Sequence, residues 1–457
     1  FYVPLGRALQ LSSQRDLGSL GVNPLVRIFT TPPVEGRIHA FSYLHAVASS
    51  AASVEPLRSY PGMMALALAL QPLAVYPLGR ALRLPRWAAG LATALAALAW
   101  LPLWVAYNSF SNHLMSLPLL PLALAAGIVA LRQGGRRAML TGGLLVAALA
   151  TVYYPAMTAY AALFGPAALY MIWRSPWHPT ASRQRLVDLG RSGAGVSYHE
   201  GTKARSAIAC STSLRGFASS WFTRSMSLRQ TALERSVTPS PHHPITLSPV
   251  RERLRLARRL LGLVALSCLL SGPAQVYFFL HDGFLQEMLK TATGFQVAEF
   301  VSLTDALGLT ATFNREAFVP DMRLVAPAAA LALLLGLLAL LGRRAPILSA
   351  MCLGAALYQG YTAARAYHYG FYKGITFEIP IYALLIAAGA SLAWDRTSST
   401  RRHDDMATRS VAHSRSPGLL VSWSAGLLVS WSLRALLAAG LALLLGLSAW
   451  TAWGVQR

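Results

Sequence analysis

Residues 324–342 read LVAPAAALALLLGLLALLG, a run with no charged side chain that is followed directly by Arg343 and Arg344. Because an α-helix rises about 1.5 Å per residue, ~20 apolar residues suffice to cross the hydrocarbon of a bilayer. Similar runs recur along the chain, and the sequence predicts spans at 61–79, 87–106, 114–131, 138–153, 157–173, 260–280, 324–342, 346–364, 375–394 and 435–453. We therefore predict an all-α fold, a polytopic transmembrane helical bundle of about ten spans.

The composition favours one membrane domain with loops, since 54% of the 457 residues are apolar and only 12% are charged. The three cysteines are too few for a disulfide framework. The predicted organisation is an external segment 1–60, a five-span unit 61–173, a basic loop 174–259, a four-span unit 260–394 with an external acidic loop 281–323, a repeat-containing loop 395–434, and a final span within 435–457.

Charge is distributed unequally between the links that join the predicted spans. Links on one side hold 29 of the 40 basic residues and 7 of the 17 acidic ones, and the other side holds 11 and 10. Basic residues are retained in the cytoplasm, so the basic side is predicted to be cytoplasmic and the N-terminal segment external. This topology, with contact to anionic lipid, accounts for the net charge of +23, so we predict a multi-pass protein of the plasma (inner) membrane with no nucleic-acid partner.

Two cytoplasmic links are low in complexity. Within the basic link 174–259, residues 176–250 are rich in Ser, Thr, Arg and Pro and are predicted to be largely disordered, and 251–259 is predicted to be an amphipathic lead-in to the next span. The link 395–434 contains GLLVSWS twice with a period of eight residues, which indicates a tandem repeat at the DNA level. Neither link is predicted to carry the chemistry of the protein.

The N-terminal segment contains a predicted helix at 36–54, in which Phe41, Leu44 and Val47 recur at helical spacing. We expect this helix to lie on the membrane. The chain starts with FYVPLGRALQ, which resembles neither a signal peptide nor an initiating segment, so we expect an upstream span. Asp16 and Glu35 are the carboxylates of this segment that precede the helix.

The external loop 281–323 carries six of the seventeen acidic residues. Carboxylates there can supply a general base or a cation site. They can equally collect outside simply because basic residues are retained inside, and the sequence leaves both interpretations open. It predicts no metal site, and the cofactor stays open, with a divalent cation as one candidate.

The stretch 358–380, YQGYTAARAYHYGFYKGITFEIP, places aromatic rings and two cations at a span boundary. Arg365 and Lys373 are suited to binding a lipid-linked phosphate, whereas an ordinary interfacial aromatic belt is the alternative. A short external link can line the same cavity. The predicted substrate-binding residues are Arg365, Lys373, Tyr369, Tyr372, His368, Asn112 and His113.

These features resemble the GT-C superfamily of polytopic membrane glycosyltransferases: an external first loop with a membrane-lying helix, paired short hydrophobic helices with YYPAM at 153–157, and the boundary YHYGFYK at 367–373. The resemblance implies that the partners are membrane lipid and a polyprenyl-phosphate-linked sugar. It also implies a catalytic base in the first external loop, a role that falls to Asp16, with Glu35 as the second choice.

The expected function is transfer of a sugar from a polyprenyl-phosphate donor to an envelope acceptor on the external face. One alternative is a non-catalytic membrane protein of envelope assembly. The other is a lipid or solute transporter, which should carry ionisable residues within its spans. The predicted spans offer only Glu378, at the edge of 375–394.

Overall fold

The computed structural model describes residues 40–108, 110–153, 155–174, 249–272, 276, 300–313, 318–342, 345–411 and 419–455. Asp16, Glu35 and nearly all of the predicted disordered stretch 176–250 lie outside these residues. The chain divides into two units, Phe1–Trp173 with Leu254–Arg457, and Arg174–Arg253. Within the second unit the described residues are Arg174 and the first turn of one helix, so the account below concerns the first unit.

Thirteen helices make up the described part of the chain. They are α1 (Ala40–Ala51), α2 (Pro56–Ala81), α3 (Arg86–Ala97), α4 (Leu101–Tyr107), α5 (Ser111–Gln133), α6 (Arg136–Val152), α7 (Pro155–Arg174), α8 (Pro249–Ser271), α9 (Leu303–Ala306), α10 (Met322–Leu341), α11 (Pro346–Ala364), α12 (His368–Val411) and α13 (Leu419–Val455). The only β-type pairing among the described residues is an isolated bridge between Ala311 and Phe318. The prediction of an all-α fold is confirmed.

Six of the described helices are long and apolar enough to cross a membrane: α2, α5, α7, α10, the part of α12 from His368 to Asp395, and the part of α13 from Arg434 to Gly454. A seventh is added if α3 and α4, which meet at a bend of 42°, form one broken span. The architecture is therefore that of a multi-pass membrane protein. The predicted total of ten spans is not confirmed.

The three remaining predicted spans fall on α6, α8 and α11, and residues 273–275 and 277–280 of the span on α8 lie outside the described residues. Helix α6 has 17 residues, fewer than the ~20 that a bilayer requires. The basic stretch RERLRLARR occupies the first half of α8. Helix α11 has 19 residues but ends in the polar sequence YQGYT. These three helices do not reach the length and hydropathy that mark the six candidate spans.

The predicted loop 395–434 is not confirmed either, because helices extend into it from both ends. Helix α12 continues to Val411 and α13 begins at Leu419. Residues 412–418 lie outside the described residues. Since the repeat contains Leu, Ala and Trp with no Pro inside it, it is compatible with helix.

The segment His368–Asp395 is the centre of the bundle, and 89% of the residues in its most apolar window are buried. It packs against α10, α11 and α3. Glycine allows one of these contacts: a Cβ at Gly389 would lie 1.8 Å from the carbonyl oxygen of Leu335 on α10. Small residues at such crossings let helix backbones approach closely in a membrane.

Helix α1 corresponds to the predicted helix at 36–54, although it is shorter. Its apolar side chains Leu44 and Val47 are exposed, while His45 and Ser49 are buried. An apolar face directed away from the bundle suits contact with lipid. The position of α1 relative to a membrane surface stays a prediction.

Candidate functional site

Rings from four separate regions meet around the start of α12. This aromatic cluster comprises Trp104 on α4, Phe110 and His113 at the start of α5, Tyr153 at the end of α6, Phe313, and Tyr369, Tyr372 and Phe377 on α12. Tyr372 is its centre, with ring centroids 4.9 Å from Trp104 and 5.0 Å from Phe313. Offset and edge-on pairs at these distances each add ~0.5–1.5 kcal/mol to the energy of burial. The aromatic cluster therefore holds the start of α12 rigidly in place.

Lys373 extends along the edge of the aromatic cluster and is only 7% exposed. Its Nζ atom lies 4.1 Å from the ring centroid of Tyr369 and 5.5 Å from that of Tyr153. Tyr369 precedes Lys373 by one helical turn, so both side chains share a face of α12. A desolvated cation over an aromatic face gains about 2 kcal/mol. The rings thus hold a positive charge inside the bundle, ~8 Å from the start of α12.

His113 adds unsatisfied polar atoms to the same place. Its ring stacks on Tyr153 at 5.3 Å and lies 4.8 Å from Phe377, and the side chain is 2% exposed. Neither ring nitrogen has a hydrogen-bond partner among the described residues. A buried polar atom without a partner costs about 1–3 kcal/mol. Its two nitrogens are therefore available to a ligand or to water.

The structure brings together Lys373, Tyr369, Tyr372 and His113 of the predicted substrate-binding residues. Asn112, next to His113, is partly exposed. Arg365 is exposed in the turn between α11 and α12, and His368 packs edge-on against Phe300 at 4.2 Å, so neither belongs to the aromatic cluster. The two predicted catalytic carboxylates, Asp16 and Glu35, lie outside the described residues.

Trp104, Phe110, Phe313 and Phe377 are members of the aromatic cluster that the sequence did not single out. Phe110 lies within the short link 107–113 that contains Asn112 and Trp104 lies just before it, which was the only signal for them. Phe313 comes from the acidic loop, far away in sequence. Since aromatic residues are common at span boundaries, no sequence pattern distinguishes those that converge.

Two acidic residues of the predicted external loop are described, and both have structural partners. Asp305 accepts hydrogen bonds from Thr310 Oγ1 at 2.7 Å, from the backbone N–H of Thr312 at 2.9 Å and from Thr312 Oγ1 at 2.8 Å. Asp321 caps α10 by accepting from the N–H of Arg323 at 2.9 Å. Asp282, Glu287, Glu299 and Glu316 lie outside the described residues.

A second polar group lies deeper in α12. Glu378 is 2% exposed and accepts a hydrogen bond from the Tyr382 hydroxyl. Cys352 and Gln359 of α11 lie beside it. Because α12 begins at His368 rather than at 375, Glu378 is the eleventh residue of the helix instead of an edge residue.

A hydrogen-bonded network joins α1 to α2 near the start of α5. His45 Nε2 lies 2.9 Å from Ser59 Oγ, which is 2.6 Å from Ser49 Oγ, and the Tyr60 hydroxyl lies 3.0 Å from Ser111 Oγ. Burial lowers the pKa of His45, and a hydrogen bond with the Pro56 backbone opposes that shift. The network fixes α1 against the bundle.

Comparison with protein-family models, with curated proteins and with solved structures finds no match for this chain. Within the described residues, no three His, Cys, Asp or Glu side chains are grouped as metal ligands. The site must therefore be interpreted from its own geometry, which offers a buried cation, aromatic faces and the two nitrogens of His113.

Proposed function

We propose that this chain is a multi-pass membrane glycosyltransferase that binds the phosphate of a polyprenyl-linked sugar at Lys373. The sugar would pass to an envelope acceptor on the external face. The observation that carries the proposal is the position of Lys373: a cation buried to 7% exposure, beside aromatic rings, near one end of a helix apolar enough to span a membrane. A cation at that depth is suited to a phosphate at the lipid headgroups.

The chemistry of the cluster supports a phosphate ester with a sugar attached. A buried ammonium forms strong charge-assisted hydrogen bonds to phosphate oxygens. His113 can donate to or accept from the same ligand. Tyr369 and Tyr153 are partly exposed and offer aromatic surface, beside the Lys373 ammonium, on which the apolar side of a sugar ring can pack. The GT-C resemblance of the sequence supports the same donor class.

In the proposed reaction, the acceptor hydroxyl oxygen attacks the anomeric carbon of the sugar and the bond from that carbon to the phosphate oxygen breaks. A carboxylate takes the hydroxyl proton, and the electron pair of the broken bond leaves with the polyprenyl phosphate. Lys373 would stabilise the negative charge that develops on this leaving group. Asp16, or else Glu35, is the proposed base.

Binding is tested first, with the full chain in nanodiscs of zwitterionic lipid and with polyprenyl monophosphate as the probe. Charge-assisted hydrogen bonds contribute about 1.5–3 kcal/mol, so Lys373→Met, which keeps the apolar stem, should weaken binding roughly tenfold to a hundredfold. Arg365→Met is the matched control. Because Arg365 is exposed, its loss should change affinity less than about fivefold.

Three further ligands decide what the site recognises. Polyprenol without phosphate should bind far more weakly, and inorganic phosphate and phosphatidylglycerol should compete poorly. Equal binding of polyprenol, or unchanged affinity in Lys373→Met, would overturn the phosphate assignment. Strong competition by phosphatidylglycerol would reduce the site to a general anionic-lipid site.

Catalysis is tested separately by release of polyprenyl phosphate from a panel of polyprenyl-phosphate hexoses and pentoses. Asp16→Asn should abolish release while leaving polyprenyl phosphate bound, because a base acts on the acceptor and not on the phosphate. If Asp16→Asn is fully active, Glu35→Gln should be inactive. Activity in both variants would remove the enzymatic proposal and leave a lipid-binding protein of envelope assembly.

Transport is the second candidate function, and one observation favours it. Among the described spans the most buried one carries two buried charged residues, Lys373 and Glu378, and such residues within spans are characteristic of substrate and ion pathways. Proteoliposomes with a fluorescent polyprenyl phosphate would show flipping between leaflets if the protein moves its ligand. Retention in one leaflet would favour glycosyl transfer.

A further inference from the structure

Glu378 is a carboxyl group inside a membrane helix, and no part of the proposed glycosyl transfer uses it. It lies ten residues after the start of α12, which places it ~15 Å along the helix axis. Glu378 follows Lys373 by five positions, so the two side chains point ~140° apart around the helix. Glu378 therefore lies on a different face of α12, the face that packs against α11.

The surroundings of Glu378 contain hydrogen-bonding groups but no described positive charge. Tyr382 donates its hydroxyl to Oε2, and Cys352 and Gln359 approach from α11. Other charged or titratable side chains lie on elements that pack against α12, and among the described residues no hydrogen bond joins any of them to this carboxylate: Arg58, Tyr60, Tyr76, Arg80, Arg86, His113, Arg132, Asp305, Arg323, Tyr358, Tyr361 and Arg434. An ionised carboxylate without a counter-ion is costly at such a position.

We propose that Glu378 is a proton-binding site, a carboxylic acid that is protonated at neutral pH and that exchanges its proton with water. In the proton-bound form its O–H donates to an acceptor on α11, where the Gln359 side chain carries a suitable amide oxygen. The Tyr382 hydroxyl keeps its hydrogen bond to the other oxygen. Proton binding thus removes the charge and leaves both carboxyl oxygens with partners.

A proton fits this site better than a metal ion. Hard cations such as Ca²⁺ take about six to eight oxygen ligands, whereas Glu378 is surrounded by a thiol, an amide and a phenol. The described residues also group no three metal-ligating side chains. A proton needs a single acceptor oxygen, which Glu378 supplies.

Asp305 provides an internal control. It is as buried as Glu378, at 1% exposure, but it accepts three hydrogen bonds from Thr310 and Thr312. Donors directed at a carboxylate stabilise its ionised form. Glu378 accepts one such hydrogen bond, from Tyr382, so donors stabilise its ionised form less than they stabilise that of Asp305.

Infrared difference spectroscopy of the full chain in lipid distinguishes the protonated from the ionised state, because a protonated carboxylic acid has its own C=O stretching band. The wild type at neutral pH should show this band. Glu378→Gln should lose it and Asp305→Asn should keep it. Transfer to deuterated buffer should shift the band, which shows that the proton exchanges with water.

Tyr382→Phe secures the assignment if Glu378→Gln fails to insert. It keeps the carboxyl group and removes one hydrogen bond, so the band should persist and move to higher frequency. The proposal is overturned if the wild type lacks the band at neutral pH, or if the band survives in Glu378→Gln and does not move in Tyr382→Phe. A band that is insensitive to deuterated buffer would overturn proton exchange. None of these outcomes depends on phosphate binding at Lys373.

Discussion

The segments His368–Asp395 and Arg434–Gly454 are both apolar enough to cross a membrane, yet they occupy opposite environments. In their most apolar windows 89% of the first and 22% of the second are buried. The inner segment contains Lys373, Glu378 and Gly389, whereas no ionisable residue follows Arg434 in the outer one. In lipid an apolar helix gains little by being covered, while a polar one must face other helices. Burial in this bundle therefore follows polarity and close packing rather than apolar character.

The contrast between the two segments requires that a bilayer surrounds the outer one. The membrane topology is the test with the largest expected effect. Helix α5 has 23 residues, so its ends should lie ~34 Å apart, on opposite faces of a membrane. In a background with the native cysteines replaced by Ser, Tyr107→Cys should react with an impermeant thiol reagent added to intact cells. Gly135→Cys should not react. Tyr107 is 85% exposed, and Gly135 has open space around it.

The cysteine labelling also tests the predicted orientation. Labelling of Gly135→Cys and protection of Tyr107→Cys would reverse the orientation and put the candidate site on the cytoplasmic side. Labelling of both positions would contradict the bilayer placement itself. Permeabilised cells serve as the control, because both cysteines should react in them.

The stabilities of the variants Tyr372→Ala and Trp450→Ala compare an aromatic side chain of the inner segment with one of the outer segment. Tyr372 is fully buried between Trp104 and Phe313, whereas Trp450 is 50% exposed on the outer segment. Removing a large buried aromatic ring costs about 3–5 kcal/mol, so Tyr372→Ala should strongly lower the midpoint of thermal unfolding in detergent. Trp450→Ala should lower it much less. An equal decrease of the unfolding midpoint in both variants would mean that Trp450 packs against a partner outside the described residues.

The variants Gly389→Ala and Gly446→Ala place the same substitution in the inner and the outer segment, so that their stabilities can be compared. A Cβ at Gly389 would collide with the Leu335 carbonyl oxygen, while nothing lies within 4 Å of the corresponding position at Gly446. Overpacking of this kind costs about 1–3 kcal/mol, and Ala is favoured over Gly within a helix by up to about 1 kcal/mol. Gly389→Ala should therefore destabilise the protein and Gly446→Ala should not. Denaturant unfolding measures both, and a destabilised Gly446→Ala would place the outer segment in a tight interface.

The smallest expected effect concerns α1, where polar His45 is buried and apolar Val47 is exposed. Burial lowers the pKa of His45 below its ordinary 6.5, so the docked helix holds the neutral imidazole. Once α1 detaches, His45 binds a proton more readily. Docking should therefore be strongest above about pH 6.5 and weaken as the pH falls. Hydrogen exchange of residues 40–51 measures this, and His45→Gln should remove the dependence. An unchanged dependence in that variant would assign it to another group.

Three of the predicted substrate-binding residues lie together for a local reason. Lys373, Tyr369 and Tyr372 lie within one helical turn, so their proximity follows from the helix alone. Arg365 is eight residues from Lys373 but lies in the turn after α11 and is exposed. The exposure of Arg365 depends on where the helices end, and helix ends are poorly marked in an apolar sequence. Glu378 was placed at an edge for the same reason.

The sequence by itself determined that the chain is an all-helical, multi-pass membrane protein, because long uncharged apolar runs have few other stable arrangements and because helices satisfy their own backbone hydrogen bonds in lipid. It also placed a cation among tyrosines at one boundary. Only the tertiary structure decided which helix is central, that Trp104 and Phe313 converge on the start of α12, and that Glu378 is enclosed by α11. The physical reason is that apolar helices look alike to lipid, so their neighbours are selected by small residues and polar groups that fit across helices.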